Sequence, residues 1–575
     1  MNIFLVYIVI RNNQFTARQR LAYGVTSEFS NSVNMNIKGI EIINNTFQGE
    51  LPGGIFMIYF QTNHQLAQIL DNSIRNNTLI GNSMMIKLDS IFNHIITGNI
   101  FEKNILKSVK FDQPTLISLA SGVQFSDCHF QENEITQSFL ITVTSMAKDQ
   151  TTFLLKDSNF KRNKLISHDE LSTSMLSVKG STAQPISVQM SNITIRENLI
   201  SQVDNGASTK LFLLGFSNSI VSTENILFHS NYHAGSSIII LATSSSKIIQ
   251  NNLTITNVTL MGEYSMIVTK LKSESIIEGL TMSNNSIHNK SILLQSSNQA
   301  SVQFNIIKIL NNFLESNCLI LNIDNRASGE FDNLEIFNTS KSSSEQNPTE
   351  DKSLFYTASS SLIITNSNFK LTGQLFESFE STLTVFNLTC QGWKGGSTSR
   401  LLLNAYNSII QFDQIEIDTQ DEQAYENDAW VVTQRSDLNL QNFILKNAIT
   451  SQGYIFDLRD QEIQMDNISL LNSYSDSRST FNLKSNFLVE ISNLRTDNCG
   501  TFLTAESLTT LHLSNLTITS SIASDNIFSF TQTEELIING VNINQLSNLS
   551  WHIFDSIIRI EFPLKVININ QLSLK

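Results

Sequence analysis

Asp437 and Glu462 are the two carboxylates whose spacing best suits chemistry, because each lies five residues before an asparagine, Asn442 or Asn467, of a repeated pattern, which stacks them on adjacent repeats. Stacked like charges repel unless a cation or partner intervenes, so calcium is the ion such a pair would hold. A solvated, outward-facing pair is the competing and favoured account. Asp418, Asp421, Glu422, Glu426 and Asp428 form a second acidic group around segment 419–428. It lacks the glycine and ligand spacing of a calcium loop, so a solvated loop is expected. His229 and His233 are four residues apart, a spacing that aligns ligands on a helix but not on a strand or turn. Cys128, Cys318, Cys390 and Cys499 lie far apart and in no metal-ligand pattern, so they are expected to be separate buried thiols. No Ser/His/Asp or Cys/His arrangement, phosphate-binding loop or dinucleotide fingerprint occurs. The expectation is no catalytic residue, no cofactor and no metal beyond the weak calcium candidates.

The bulk composition narrows the partners. Of 575 residues 15% are charged and 41% hydrophobic, while 64 are asparagine and about 120 are serine or threonine, so the polar surface is mostly uncharged. The net charge of -14 comes from 51 acids and 37 bases with no basic block. Nucleic acid is therefore not an expected partner, since backbone neutralisation needs clustered Lys and Arg. Only 5 prolines and 22 glycines are present, which excludes collagen-like and linker-like low complexity. The apolar run 3–10, followed by Arg11, fits a signal-peptide core but has no basic start and no small-residue cleavage site, leaving export open. No run approaches the roughly 18 to 20 apolar residues of a membrane helix, so membrane attachment would require a segment outside this chain.

These residues belong to a repeat. From about residue 27 onward one unit recurs, with clear copies from Ser237, Ser265, Ser291 and Thr501: an apolar strand, a polar step, an alternating strand, an Asn or Gly, and a further alternating strand. About 19 copies at a mean spacing of roughly 28 residues mark a solenoid. The residue before the third strand reads Gly39, Ser73, Asn99, His129, Asn159, Asn192, Asn225, Asn252, Gly279, Asn305, Asn333, Asn368, Asn387, Gln414, Asn442, Asn467, Asn493, Asn515 and Gly540. Asn and Gly share tolerance of positive φ, so this slot is expected to be a left-handed bend, with stacked asparagines bonding between repeats.

After the slot the order is apolar, polar, apolar, as in Ile193-Thr194-Ile195 and Leu516-Thr517-Ile518, which buries one face. Three short strands per copy, joined by bends too tight for helices, predict an all-β, right-handed parallel β-helix over 27–575, with 1–26 as a leader or partial N-terminal segment. At about 4.8 Å per rung, 19 rungs make a rod on the order of 90 Å long. Met190 to Asn198 also fits a leucine-rich core, but the β-like stretches that follow, 211–217 and 220–222, do not continue as that family does. Insertions such as 340–352 and 419–428 leave the stack after the third strand, where a protein or glycan partner would bind. The final copy, 553–574, has no polar cap, so the stack is expected to be truncated at its C-terminal end.

Phe101-Glu-Lys-Asn104, Phe130-Gln-Glu-Asn133, Phe160-Lys-Arg-Asn163 and Phe228-His-Ser-Asn231 share F-x-x-N, and Gly53-Gly54-Ile55 is a degenerate G-G-A-[ILV]. With these motifs the chain resembles right-handed, pectin-lyase-like β-helix proteins, in particular the non-enzymatic surface group related to polymorphic outer membrane proteins and to large repeat-rich transmembrane proteins of ciliates. The resemblance implies surface exposure and adhesion or structural display. The galacturonan hydrolases of that fold carry N-T-D, D-D, G-H-G and R-I-K motifs, and the nearest fragments here, Arg495-Thr-Asp497-Asn498 and Tyr232-His233-Ala-Gly235, lack their partners. About 12 N-x-[ST] sequons, among them Asn44, Asn192, Asn257, Asn338 and Asn515, match the roughly 13 expected by chance and carry no signal of secretion. The expected function is a non-catalytic scaffold or adhesion module, part of a larger surface or transmembrane protein, with an extracellular or cell-surface location. The alternatives are a polysaccharide lyase or hydrolase of the same fold, and an intracellular structural rod.

Overall fold

In a computed structural model, residues 2–574 are described except 18–20, 28–33, 50–53, 61–66, 89–93, 110–112, 121, 146–151, 168–171, 203–210, 236, 263–264, 342–352, 372–373, 393–401, 420–428, 452, 460–461, 476, 500, 521–525, 546–555 and 562–565. The described residues form strands and no α-helix, and the strands pair in parallel with their counterparts one coil on. The chain is a parallel β-helix. Two compact units, Met1–Asn305 and Ile306–Lys575, are described in turn.

In the first unit a coil runs through strands Asn34–Lys38, Glu41–Ile43, Thr46–Gly49 and Gly54–Phe60. These pair in turn with Ala67–Leu70, Ser73–Arg75, Thr78–Gly81 and Ser83–Leu88, which sets Ile37 beside Ile69, Ile42 beside Ile74 and Phe47 beside Leu79. The first two segments lie in one bent sheet, the short third strand makes a second sheet, and the fourth a third. The three-strand repeat thus divides differently from expectation. The second and third predicted strands are two halves of one sheet, and a short strand follows them in the stretch assigned to exiting loops. Such strands, for example Thr259–Met261 and Ser286–His288, have three residues, too few for alternation to show.

Described strands within residues 2–27 also take part in the stack. Strands Asn2–Val6, Val9–Arg11, Gln14–Ala17 and Leu21–Ser27 pair with the next coil, and Tyr7, at φ 56, turns the apolar run 3–10 into two strands.

In the second unit the bent sheet passes through Ser328–Lys341, Ser361–Leu371, Thr382–Gln391, Ile409–Asp418 and Asp437–Lys446 onward to Val566–Leu574. A second sheet carries Phe355–Ala358, Phe376–Phe379, Leu403–Tyr406 and Val431–Gln434. Alternation buries every second side chain, as in Asp437–Lys446, where Leu438, Leu440, Phe443 and Leu445 are at most 1% exposed. Identical apolar residues meet between coils, so phenylalanines stack: Phe101 on Phe130 at 4.8 Å and Phe130 on Phe160 at 4.7 Å in the first unit, Phe456 on Phe481 at 4.7 Å in the second.

The left-handed bend falls at Gly39, Asn192, Asn225, Asn252, Gly279, Asn333, Asn387, Gln414, Asn442, Asn467, Asn493, Asn515 and Gly540, with φ between 50 and 72°. It does not fall at six other slots. The bend precedes Ser73, Asn99, His129, Asn159 and Asn368 by one or two residues, at Asp71, Gly98, Asp127, Asp157 and Asn366, and follows Asn305 at Ile306. In the early coils the bend at Asp71, Gly98, Asp127 or Asp157 is followed by a buried residue, Asn72, Asn99, Cys128 or Ser158, so Asn99 marks the inside of the corner. Its Oδ1 accepts from the Asn72 backbone and side-chain amides at 3.0 and 2.9 Å. Asn159 pairs with Thr194 on the strand beyond the bend, and Asn368 likewise with Glu335 and Thr389.

Outward asparagines at true bends bond between coils, Asn225 to Asn192 at 3.1 Å in the first unit and Asn467 to Asn442 at 2.6 Å in the second. Asn467→Val is expected to lower stability by about 1 to 2 kcal/mol, because a β-branched side chain resists positive φ, while Asn467→Gly is tolerated. Denaturant titration of both variants checks this, and equal stability contradicts it.

Candidate functional site

The chemistry of F-x-x-N is structural. Phe points into the core, the next residue points out, the third adopts positive φ and the Asn turns inward. Thus Lys103, Glu132, Arg162 and Ser230 have φ from 52 to 54°, and Asn104, Asn133, Asn163 and Asn231 are at most 1% exposed. Asn45, Asn77 and Asn198 occupy the same corner without a preceding Phe, giving seven buried asparagines in succession. Each side-chain amide from Asn45 to Asn198 donates to the next asparagine's Oδ1 at 2.9 to 3.1 Å. Each backbone N–H donates to that same oxygen at 2.8 to 3.1 Å. The second amide hydrogen reaches a carbonyl one coil back, such as Phe101 O from Asn133 at 3.0 Å. Two donors and two acceptor positions are all used, which is what a buried amide requires.

Outside this corner the positive-φ residues alternate in sign: Lys103, Glu132, Arg162, Glu197. Lys103 Nζ lies 3.6 Å from Glu132, and Arg162 Nε lies 2.6 Å from Glu197. The hydrogen bond from Arg162 holds the Glu197 carboxyl below its usual range, and the bond to Glu102 raises the Lys103 ammonium.

Asp437 and Glu462 do stack: they begin strands Asp437–Lys446 and Glu462–Leu471, whose next residues Leu438 and Ile463 are partners, and both are exposed. Ile409 and Leu488 flank them in the same column, so no third ligand is supplied there. Among the described residues no group of three or more His, Cys, Asp or Glu side chains is arranged to hold a metal. Asp418 accepts from Asn447 Nδ2 at 2.9 Å, while Asp421, Glu422, Glu426 and Asp428 lie outside the described residues.

His229 and His233 are not brought together. His229 ends strand Ser219–His229 part-exposed, whereas His233 points into the core between Ile200 and Leu260 of the adjoining coils and is 0% exposed. Its Nδ1 meets Ser237 Oγ at 2.8 Å, and burial lowers its pKa to about 3. Cys128, Cys318 and Cys390 are separate, fully buried thiols, and burial raises Cys128 to about 11 and Cys390 to about 12.

A concavity not signalled by any motif lies in the second unit. Its volume is about 480 Å³, and it runs across four coils at the corner entering the bent sheet, over Arg326 to Ser328, Ser359 to Ser361, Glu380 to Thr382, and Asn407 with Ile409. A serine ladder builds the floor: Ser360, Ser381 and Ser408 each donate a backbone N–H to the hydroxyl of Ser381, Ser408 and Ser436, at 3.1, 3.2 and 3.0 Å. Ser328, Ser361, Thr382 and Ile409 form one outward column above it. Glu380 accepts from Ser359 Oγ at 3.4 Å and is the one carboxylate among the described lining residues. Recurrent serines two residues after a short alternating strand are visible in the sequence, but the lateral alignment that makes them a groove is not.

No protein-family model and no curated protein matches the chain. Among solved structures, the PL6-family alginate lyase AlyGC is 9% identical with a TM-score of 0.18, covering 100% of this chain and 97% of its own. A single-arginine mutant of that lyase gives 8% and 0.15 over the same shares. At that level neither bears on this chain's fold, which rests on the strand pairing.

Proposed function

We propose that this chain is a non-catalytic β-helix scaffold that binds a partner through its outward face, an adhesion or display module of a larger extracellular or cell-surface protein. The supporting observation is the open, hydroxyl-lined groove with a single carboxylate among its described lining residues, since glycosidic cleavage by acid and base needs two facing one site. The buried asparagine ladder gives the first unit a structural account of F-x-x-N, and F-x-x-N is the motif on which the resemblance to the non-enzymatic surface group stands. Among the described residues no helix is long and apolar enough to cross a membrane.

The full chain incubated with plant and microbial polysaccharides, with and without calcium, tests this. Retention without new chain ends is the expected result. Calcium-dependent cleavage that disappears in Asp437→Asn or Glu462→Gln overturns it in favour of a polysaccharide lyase or hydrolase.

A further inference from the structure

Beside the groove, next to its lining residues, runs an aromatic ridge. Strands Phe355–Ala358, Phe376–Phe379 and Leu403–Tyr406 point Tyr356, Phe379 and Tyr406 outward, part-exposed, and the last two immediately precede the groove residues Glu380 and Asn407. Their rings form a ridge, with centroids 6.0 Å apart from Tyr356 to Phe379 and 6.4 Å from Phe379 to Tyr406. Tyr406 is fixed from the next coil: Arg435 Nη1 donates to its hydroxyl at 3.1 Å, and the guanidinium lies 5.9 Å from the ring centroid. A part-exposed aromatic ridge beside a row of outward hydroxyls offers apolar ring faces and hydrogen-bonding partners at once, the two halves of sugar recognition.

We infer that this groove binds a neutral, extended glycan lying along the stack, with its sugar rings on Phe379 and Tyr406 and its hydroxyls on Ser328, Ser361, Thr382 and Glu380. This rests on the proposed binding role and names its ligand class. Successive groove columns repeat at the rung spacing of about 4.8 Å, close to one sugar in an extended chain. Charge selects a neutral chain over an acidic one. The described lining carries one cation, Arg326, balanced by one carboxylate, Glu380, and beside the ridge Glu377 and Asp324 add to the burial that raises the Tyr356 hydroxyl. The serine ladder already engages the hydroxyls of Ser360, Ser381 and Ser408 with carbonyls of their own coil, leaving recognition to the outward column.

The test is calorimetric titration of the full chain with cellohexaose, chitohexaose, laminarihexaose and hexagalacturonate. At least one neutral hexaose is expected to bind and hexagalacturonate to bind more weakly. Tyr406→Ala should weaken binding by about tenfold, the scale of one aromatic contact, and Tyr406→Trp should restore it. Thr382→Arg, which fills the groove from an outward position, abolishes binding without touching the core, so the test survives if Tyr406→Ala fails to fold. Absence of binding by all three neutral hexaoses, equal affinity in Thr382→Arg, or preference for hexagalacturonate overturns the inference. Binding of a neutral hexaose followed by its cleavage leaves the groove assignment standing and removes only the non-catalytic role.

Discussion

Replacing Asn133 with leucine is expected to destabilise the first unit by about 3 to 5 kcal/mol, although the side chains are similar in size. Asn133 Oδ1 accepts from both the backbone N–H and the side-chain amide of Asn104, each at 3.0 Å. Its own amide donates to Phe101 O at 3.0 Å and to Asn163 Oδ1 at 2.9 Å. Leucine strands two buried donors on Asn104 and deprives two acceptors, and each unsatisfied buried group costs roughly 1 to 3 kcal/mol. Relaxation of the coil recovers part of that sum. Asn192→Leu is the control, since Asn192 is an exposed bend whose amide reaches Asp157 Oδ1 at 2.8 Å, and only the conformational cost of about 1 kcal/mol applies. Because stacked coils open locally, the readout is hydrogen-exchange protection of residues 101–106. Equal losses in the two variants contradict the ladder's role.

Acid is expected to weaken the first unit steeply from about pH 6.5 downward. Burial lowers His94 from 6.5 to about 4 and His233 to about 3. In that window the unfolded chain takes up protons that the folded chain refuses, so stability is complete above 6.5 and falls as pH drops, until each folded pKa is reached. Each histidine contributes a slope of about 1.4 kcal/mol per pH unit, so together they cost several kcal/mol by pH 4. The carboxyl of Glu197, held low by Arg162, acts in the same direction at still lower pH. His233→Leu places an apolar side chain among Ile200 and Leu260 and should roughly halve the slope between pH 6 and pH 4. Identical pH profiles for the variant and the natural chain contradict this.

The parallel stack was legible because alternation in Ile193-Thr194-Ile195 and its counterparts survives every coil, and because Asn or Gly marks most bends. The offset in the early coils was not legible. There Asp71, Asp127 and Asp157 hold the bend, while Asn72, Cys128 and Ser158 turn inward just after it. A residue that tolerates positive φ and one that ladders inside a corner can both be asparagine, and type alone does not separate them. The F-x-x-N spacing did contain the second corner, with its stacked Phe101, Phe130 and Phe160, but its physical content appears only when adjacent coils are superposed. The low charge acquires a cause in the same way. Outward positions meet their counterparts on each coil, and one column carries its charge with alternating sign, at Lys103, Glu132, Arg162 and Glu197. The candidate site was least legible, since Phe379, Glu380, Tyr406 and Asn407 come side by side only through the register of separate strands.

That register is open to one direct measurement. Thr254 and Thr281, 27 residues apart, are parallel partners that face outward on adjacent coils, and the rung spacing of about 4.8 Å lies within disulfide range. Thr254→Cys with Thr281→Cys should therefore cross-link under mild oxidation. Thr194→Cys with Thr254→Cys, two coils apart through Leu227, should not. Cross-linking of the first pair alone is the predicted result; failure of that pair, or equal cross-linking of both, contradicts the parallel coil stack.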